Sequence, residues 1–386
     1  MRVLVIASRP TDSARGDLAP VGLVLRALTE HGHEVHAVCD AADPMRSFES
    51  LTVWPVHASR SHGTPAMTSR ALAAGRSIAP DVILAEERCL ASGSLVAKRC
   101  GGSLVPMFVG VHGPRRAGRL LGPIETRAVR QAPLCIGFGP YQTDAALRRG
   151  AKRTLELPGV ARIPPVPRTA SGWLRRHLGL DHGVLAVAWG DLSPEDGTDI
   201  LIEGVKVAAD ADHDLHAAIF GGDEATIDRY EAKAERLGVH DRVHLLGGWH
   251  ASKLDALLPE ADIVIEPSIV PHRTPPALYT LLAAHRPMIL AQAAGRSRLV
   301  GPKACVIAPA DRLGIGHALS QLAANESARL HYAEAGRQFV AAHHTYDVFA
   351  STLACLEDRV RVGPGSDPSA ASDQTEETGS PASIGA

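Results

Sequence analysis

No window of the chain holds the roughly 18 unbroken apolar residues that a membrane-spanning helix needs. The opening MRVLVIASRP has only a short apolar run, and we read it as a first strand rather than the core of a signal peptide. There is no C-x-x-C pair. The six cysteines (Cys39, Cys89, Cys100, Cys135, Cys305 and Cys355) are scattered, so neither a metal knuckle nor a disulfide framework is expected. Reduced thiols in a cytoplasmic protein fit that distribution. Net charge is almost absent as well, at −2, but it is unevenly spread. Residues 1–160 hold 20 Lys and Arg against 13 Asp and Glu, and the remainder holds 20 against 29. The first part therefore suits an anionic partner, while the second is a poor nucleic-acid surface, so no nucleic acid is expected.

What is present is a 386-residue chain, 45% hydrophobic and 21% charged, enough for more than one packed core. Short β-branched runs alternate with helical spacing. RVLVIAS, HEVHAVC, DVILA (81–85), SLVPMFVGV (103–111) and PLCIGF (133–138) read as buried strands. The Pro-rich stretch GVARIPPVPRTASGW (159–173) has no periodicity and reads as a linker. The alternation then restarts with GVLAVAW (183–189), DLHAAIF (214–220), RVHLLG (242–247), ADIVIEP (261–267), PMILA (287–291) and KACVIAP (303–309). Continuous apolar strands alternating with helices imply parallel sheets covered on both faces. The expected fold class is α/β, with two doubly wound Rossmann-like domains facing across a cleft, and ligands belong at the carboxyl ends of such strands. The expected division is 1–160, a linker at 161–173, 174–342, a helix at 343–360 packing back toward the first domain, and a disordered polar tail at 361–386.

Five segments in order resemble the GT-B glycosyltransferases of family GT4, over roughly residues 1–358. They are ALTEHGHEV (27–35), VPMFVGVHG (105–113), GDLSPEDGTDILIEGV (190–205), GGDEATIDRYEAKAERLGVHDRVHLLGGW (221–249) and EPSIV with ALYTLLAAHRPMIL (266–290). The resemblance implies transfer of a sugar from a nucleotide-sugar to a glycan, lipid or small-molecule acceptor, with retention and without a metal or cofactor. Fixed cations and backbone amides must then stabilise the leaving diphosphate.

The donor motif departs from the family pattern. Asp191 and Asp196 follow Gly190 where the family has an Arg and a Lys. Two unit charges at about 4 Å and an effective dielectric near 20 interact by roughly 4 kcal/mol, so each exchange opposes an anion. His272 and Thr280 stand at the family's two acids, one orienting the sugar and one holding the ribose. His285 replaces a glycine. Arg273, Arg296 and Arg298 are candidate replacement cations, with solvated arginines as the alternative. On the first domain the resemblance puts Gly16, beside Arg15 and Asp17, in the ligand-approach turn, and His112 against the transferred sugar. His112 and His272 are the expected catalytic residues. Arg15, Asp17, Arg115 and Arg116 are expected to face the acceptor or an anionic membrane surface, with peripheral membrane contact at the inner face. The four donor departures leave a second reading open, a catalytically degraded relative acting with a partner transferase.

Overall fold

The structure is a computed structural model, and it describes residues 1–8, 19–40, 51–56, 65–110, 118–161, 172–190, 192–248, 257–270, 274, 277–301 and 303–361. The first sheet contains β1 (Arg2–Ile6), β2 (Glu34–Asp40), β3 (Leu51–Val56), β4 (Val82–Glu86), β5 (Ser103–Phe108), β6 (Cys135–Phe138) and β7 (Thr154–Leu157). Their spatial order is β3-β2-β1-β4-β5-β6-β7, and every pairing is parallel. The second contains β8 (Val184–Gly190), β9 (Leu215–Gly221), β10 (Val243–Leu245), β11 (Ile263–Glu266), β12 (Met288–Gln292) and β13 (Val306–Pro309). It runs β10-β9-β8-β11-β12-β13, again parallel throughout.

Parallel neighbours need a crossover, and helices supply it on both faces of each sheet. On β1 the side chains alternate between faces with a period of two. Val3 and Val5 point into one core with Val21, Val24, Leu25 and Leu28 of the helix Pro20–Glu30. Leu4 and Ile6 point into the other with Met67, Ala71, Ala74 and Ile78 of the helix Pro65–Ile78. Strand β8 divides the same way, Leu185 and Val187 to one core and Ala186 and Ala188 to the other. The sequence reading did not pick out β3 or β7. Both are outer strands of the first sheet, where fewer positions must be apolar. In β3, Thr52 and Pro55 are exposed, and Pro55 is tolerated at an edge.

The chain crosses between the sheets twice, and the two crossings are bonded to each other. The Ala161 amide donates to the His344 carbonyl at 2.9 Å. The His344 Nδ1 donates to the Gly159 carbonyl at 2.9 Å, and Tyr279 stacks on the His344 ring at 3.6 Å between centroids. After this junction the helix Tyr346–Ala354 returns to the first sheet. Phe349 and Leu353 enter its core, Tyr346 donates its hydroxyl to Glu30, and Arg26 lies 4.1 Å from the Tyr346 ring. Among the described residues, no helix is long and apolar enough to cross a membrane. The tail expected from 361 starts one residue later at the earliest, since Arg361 closes the helix Leu356–Arg361, and 362–386 lie outside the described residues.

Burial holds the His344 imidazole down to about 4. The folded chain therefore binds fewer protons there than the unfolded chain as pH falls below the ordinary value near 6.5. Its contribution to stability is complete above about pH 6.5 and is lost as pH falls toward 4, by up to about 3 kcal/mol. Denaturant titrations at pH 7 and pH 4 should show His344→Asn losing less stability than wild type over that interval. Equal losses would refute the assignment.

Candidate functional site

In each sheet the strand order reverses beside the first strand, at β1/β4 and at β8/β11. Crossovers leave such a point on opposite faces, so the carboxyl ends part and form a crevice.

At the second crevice β8 ends on Gly190, and the next described residues form the turn Leu192–Gly197. Ser193 donates its amide at 3.0 Å and its hydroxyl at 2.9 Å to the Asp196 Oδ2. Gly197 follows with φ +73, opening the helix Thr198–Asp210. A Cβ at Gly197 would lie 2.0 Å from the Pro267 carbonyl oxygen, so turn and β11 exit are in backbone contact. The Ile269 amide donates to the Glu195 carbonyl at 2.9 Å, closing that contact. Beneath it Arg296, 1% exposed, donates from Nη2 to the Ser268 carbonyl at 3.1 Å and approaches its hydroxyl at 3.4 Å.

These positions correct several expectations. Gly190 closes β8 at the crevice. The Asp196 carboxylate accepts from Ser193 within its own turn and also lies against the end of β8, its Oδ2 3.6 Å from where a Cβ at Gly190 would stand, so its charge stays at the crevice. Thr280 is fully buried in the helix Leu278–Leu282, whose five residues are all buried, and offers no ribose contact. Arg298 is about half exposed but ion-pairs at 2.5 Å with Asp144 of the helix Pro140–Arg148 in the first domain. It bridges the domains rather than standing free for a donor. Arg296 is packed under the crevice floor and is no surface clamp. His285 adopts φ +58, the left-handed region that favours glycine, and its Nε2 meets Glu334 at 3.1 Å. His112, His272, Asp191, Arg273, Arg15, Gly16, Asp17, Arg115 and Arg116 lie outside the described residues. Among the described residues no group of three or more His, Cys, Asp or Glu is placed to hold a metal ion.

The first crevice contains acids that the sequence reading passed over. Glu86 ends β4, and its Oε2 accepts the Ser8 amide at 2.7 Å and the Ser8 hydroxyl at 2.8 Å, tying the ends of β1 and β4 across the switch point. Glu87 follows, and its Oε2 accepts the Val109 amide at 3.1 Å, just beyond β5. Each is only 8% exposed. Burial and then the Glu86 charge push the Glu87 carboxyl up to about 7, against the pull of the Val109 and Gly110 amides and of Arg149. The available signal was a pair of acids closing an all-apolar strand at a carboxyl edge.

Between the crevices the domains meet at Tyr141. It belongs to the helix Pro140–Arg148 of the first domain but packs into a core of the second. Burial raises its phenol, and Arg296 and Arg298 are close enough to oppose that shift.

Residues 183–325 match the family described as Glycosyl transferases group 1. The fold of this chain is GT-B, and its second domain carries the likeness to group 1 glycosyltransferases. The match covers β8 through the helix Arg312–Ala324, so the crevice at Gly190 falls within it. A D-inositol 3-phosphate glycosyltransferase of Corynebacterium glutamicum (strain R) is 40% identical over 100 residues, spanning 24% of this chain and 24% of that protein. The solved structure of Anabaena HepE in complex with UDP superposes with a TM-score of 0.73 at 15% identity, covering 93% of this chain and 100% of that one. Sucrose-phosphate synthase from Thermosynechococcus elongatus superposes at 0.67 with 16% identity, covering 93% and 99%. WaaG, a glycosyltransferase involved in lipopolysaccharide biosynthesis, superposes at 0.59 with 14% identity, covering 92% and 99%. At these identities the solved neighbours establish the shared architecture of this GT-B chain and nothing finer.

Proposed function

We propose that this GT-B chain transfers a sugar from a nucleotide-sugar to a glycan, lipid or small-molecule acceptor, with retention and without a metal. The observation that carries the reading is the crevice at Gly190. It lies at a switch point, inside the segment of group 1 type, with the β8 turn strapped to the β11 exit. Relatives of the same architecture have been solved with UDP and with UDP-glucose. The donor enters this crevice and the acceptor the one between β1 and β4. His112 and His272 contact the transferred sugar, Arg273 assists the diphosphate, and Arg15, Asp17, Arg115 and Arg116 face the acceptor or an anionic membrane surface. The first domain's surplus of basic residues supports that last assignment.

A second reading rests on a specific set of positions: two acids where the family has cations, a buried Thr280, and Arg298 paired with Asp144. These fit a relative that supports another transferase without turning over itself. Calorimetry against a panel of nucleotide-sugars, followed by turnover with lipid and glycan acceptors, separates the two. Binding with turnover by the purified chain, abolished in His112→Ala at unchanged thermal stability, is the expected result. No binding to any donor would remove the first reading, and robust turnover would remove the second.

A further inference from the structure

Strand β6 leads through Gly139 into the helix Pro140–Arg148, beside the junction of the two domains. A cavity of about 480 Å³ opens there. Gly139, Pro140 and Glu156 line it from the first domain, and Tyr279, Arg298 and Phe339 from the second. The first amides of a helix have no partner inside it and attract anions. This helix starts on a glycine with φ +93 and has no side-chain cap. Pro140 has no N–H, and the Thr143 amide already donates to the Gly139 carbonyl at 3.1 Å. A second observation lies at the same place. Gln142 is 7% exposed, and its Oε1 has no hydrogen-bond partner among the described residues. That oxygen stands 3.5 Å from where a Cβ at Gly139 would be, so no side chain separates it from the helix start. A buried amide left unpaired favours any ligand that completes it. Arg298 brings a cation from the opposite domain, shared with Asp144.

We propose that this junction cavity binds a small hydroxylated molecule through its phosphate group, seated at the start of the helix Pro140–Arg148 between Gln142 and Arg298. The chemistry fixes its orientation. The Gln142 main-chain amide and the Arg298 guanidinium donate to phosphate oxygens. The Gln142 side chain can donate its NH2 to the phosphate or accept a hydroxyl at Oε1. Two carboxylates oppose an anion here, Asp144 on the same helix and the exposed Glu156 on β7. The Asp144 charge is offset by its pair with Arg298. Glu156 accepts from hydroxyls instead, so the phosphate faces the helix and the rest of the molecule faces Glu156. Tyr279 and Phe339 give its carbon skeleton apolar walls. Held from both domains, the ligand ties them together. None of the residues that shape the crevice at Gly190 lines this cavity, so the site does not depend on the transferase reading.

Calorimetry on the full chain, with no nucleotide-sugar present, tests the site with glucose 6-phosphate, inorganic phosphate and glucose as probes. Glucose 6-phosphate should bind at one site per chain and about tenfold more tightly than inorganic phosphate, while glucose shows no binding. Gln142→Leu and Arg298→Ala should each weaken glucose 6-phosphate about tenfold. Asp144→Asn frees Arg298 and removes a repelling charge, so it should tighten binding several-fold, a gain that a misfolded variant does not give. UDP in excess should leave the binding in place. The proposal is overturned if glucose 6-phosphate does not bind, or if inorganic phosphate or glucose binds as tightly. Unchanged affinity in Gln142→Leu or Arg298→Ala, or no gain in Asp144→Asn, overturns it too. So does displacement by UDP, which would put the phosphate in the crevice at Gly190. Absence of turnover with UDP-glucose, alongside the expected binding, would count against the transferase reading alone.

Discussion

Gly197→Ala is expected to lower the stability of the second domain by about 3–5 kcal/mol and to disorganise the crevice at Gly190. Two costs combine. A non-glycine residue at φ +73 pays about 1–2 kcal/mol for the left-handed conformation. The new methyl would then sit 2.0 Å from the Pro267 carbonyl oxygen and 2.7 Å from its carbon. Those are backbone atoms at the exit of β11, so no side chain can rotate aside. The β8 turn and the β11 exit must separate, which also breaks the 2.9 Å bond from the Ile269 amide to the Glu195 carbonyl. Denaturant unfolding followed by probes in each domain should show the second domain's transition move to lower denaturant while the first stays in place. A variant within about 1 kcal/mol of wild type would mean that the turn is not in contact with that exit.

Phe349→Ala should cost about 3–5 kcal/mol, and the loss should fall on the first domain, although the residue lies beyond the second in sequence. Phe349 is fully buried in the core beneath β1, and its ring stacks on Phe138 at 6.4 Å between centroids. Truncation leaves a cavity walled by sheet residues that cannot follow it inward, which is the condition under which large-to-small changes cost most. Tyr346 to Glu30 and Arg26 over the Tyr346 ring hold the same helix from outside, and the Arg153 guanidinium donates to the Arg359 carbonyl at 3.1 Å in the following helix Leu356–Arg361. These are exposed or partly exposed and cannot replace the core contact. A transition shifted in the second domain instead would show that the return of the chain has been misplaced.

How much of the site was legible depended on which interaction decided each residue. Gly190 is a strand end, a local feature, and it stands where its run of apolar residues implied. Asp196 accepts the amide and hydroxyl of Ser193, three residues before it, and this local cap holds its carboxylate against Gly190. Thr280 and Arg296 were misread. Arg296 is held by the Ser268 carbonyl just beyond β11, and Thr280 lies in a helix whose Leu278, Leu281 and Leu282 enter a core shared with Tyr141 of the first domain. Arg298 depends on Asp144, which is brought to it only by the packing of one domain on the other.

By itself, the order of apolar runs and helical spacings determined two parallel α/β sheets and the edges where ligands gather, because a strand buried on both faces must be apolar throughout. Tertiary structure alone decided where the charges point: which acid is bonded to a neighbouring strand end, which arginine is buried, and which arginine pairs across the domains. Burial and the distance between opposite or like charges are properties of chains brought together in space, and a one-dimensional string of residues does not carry them.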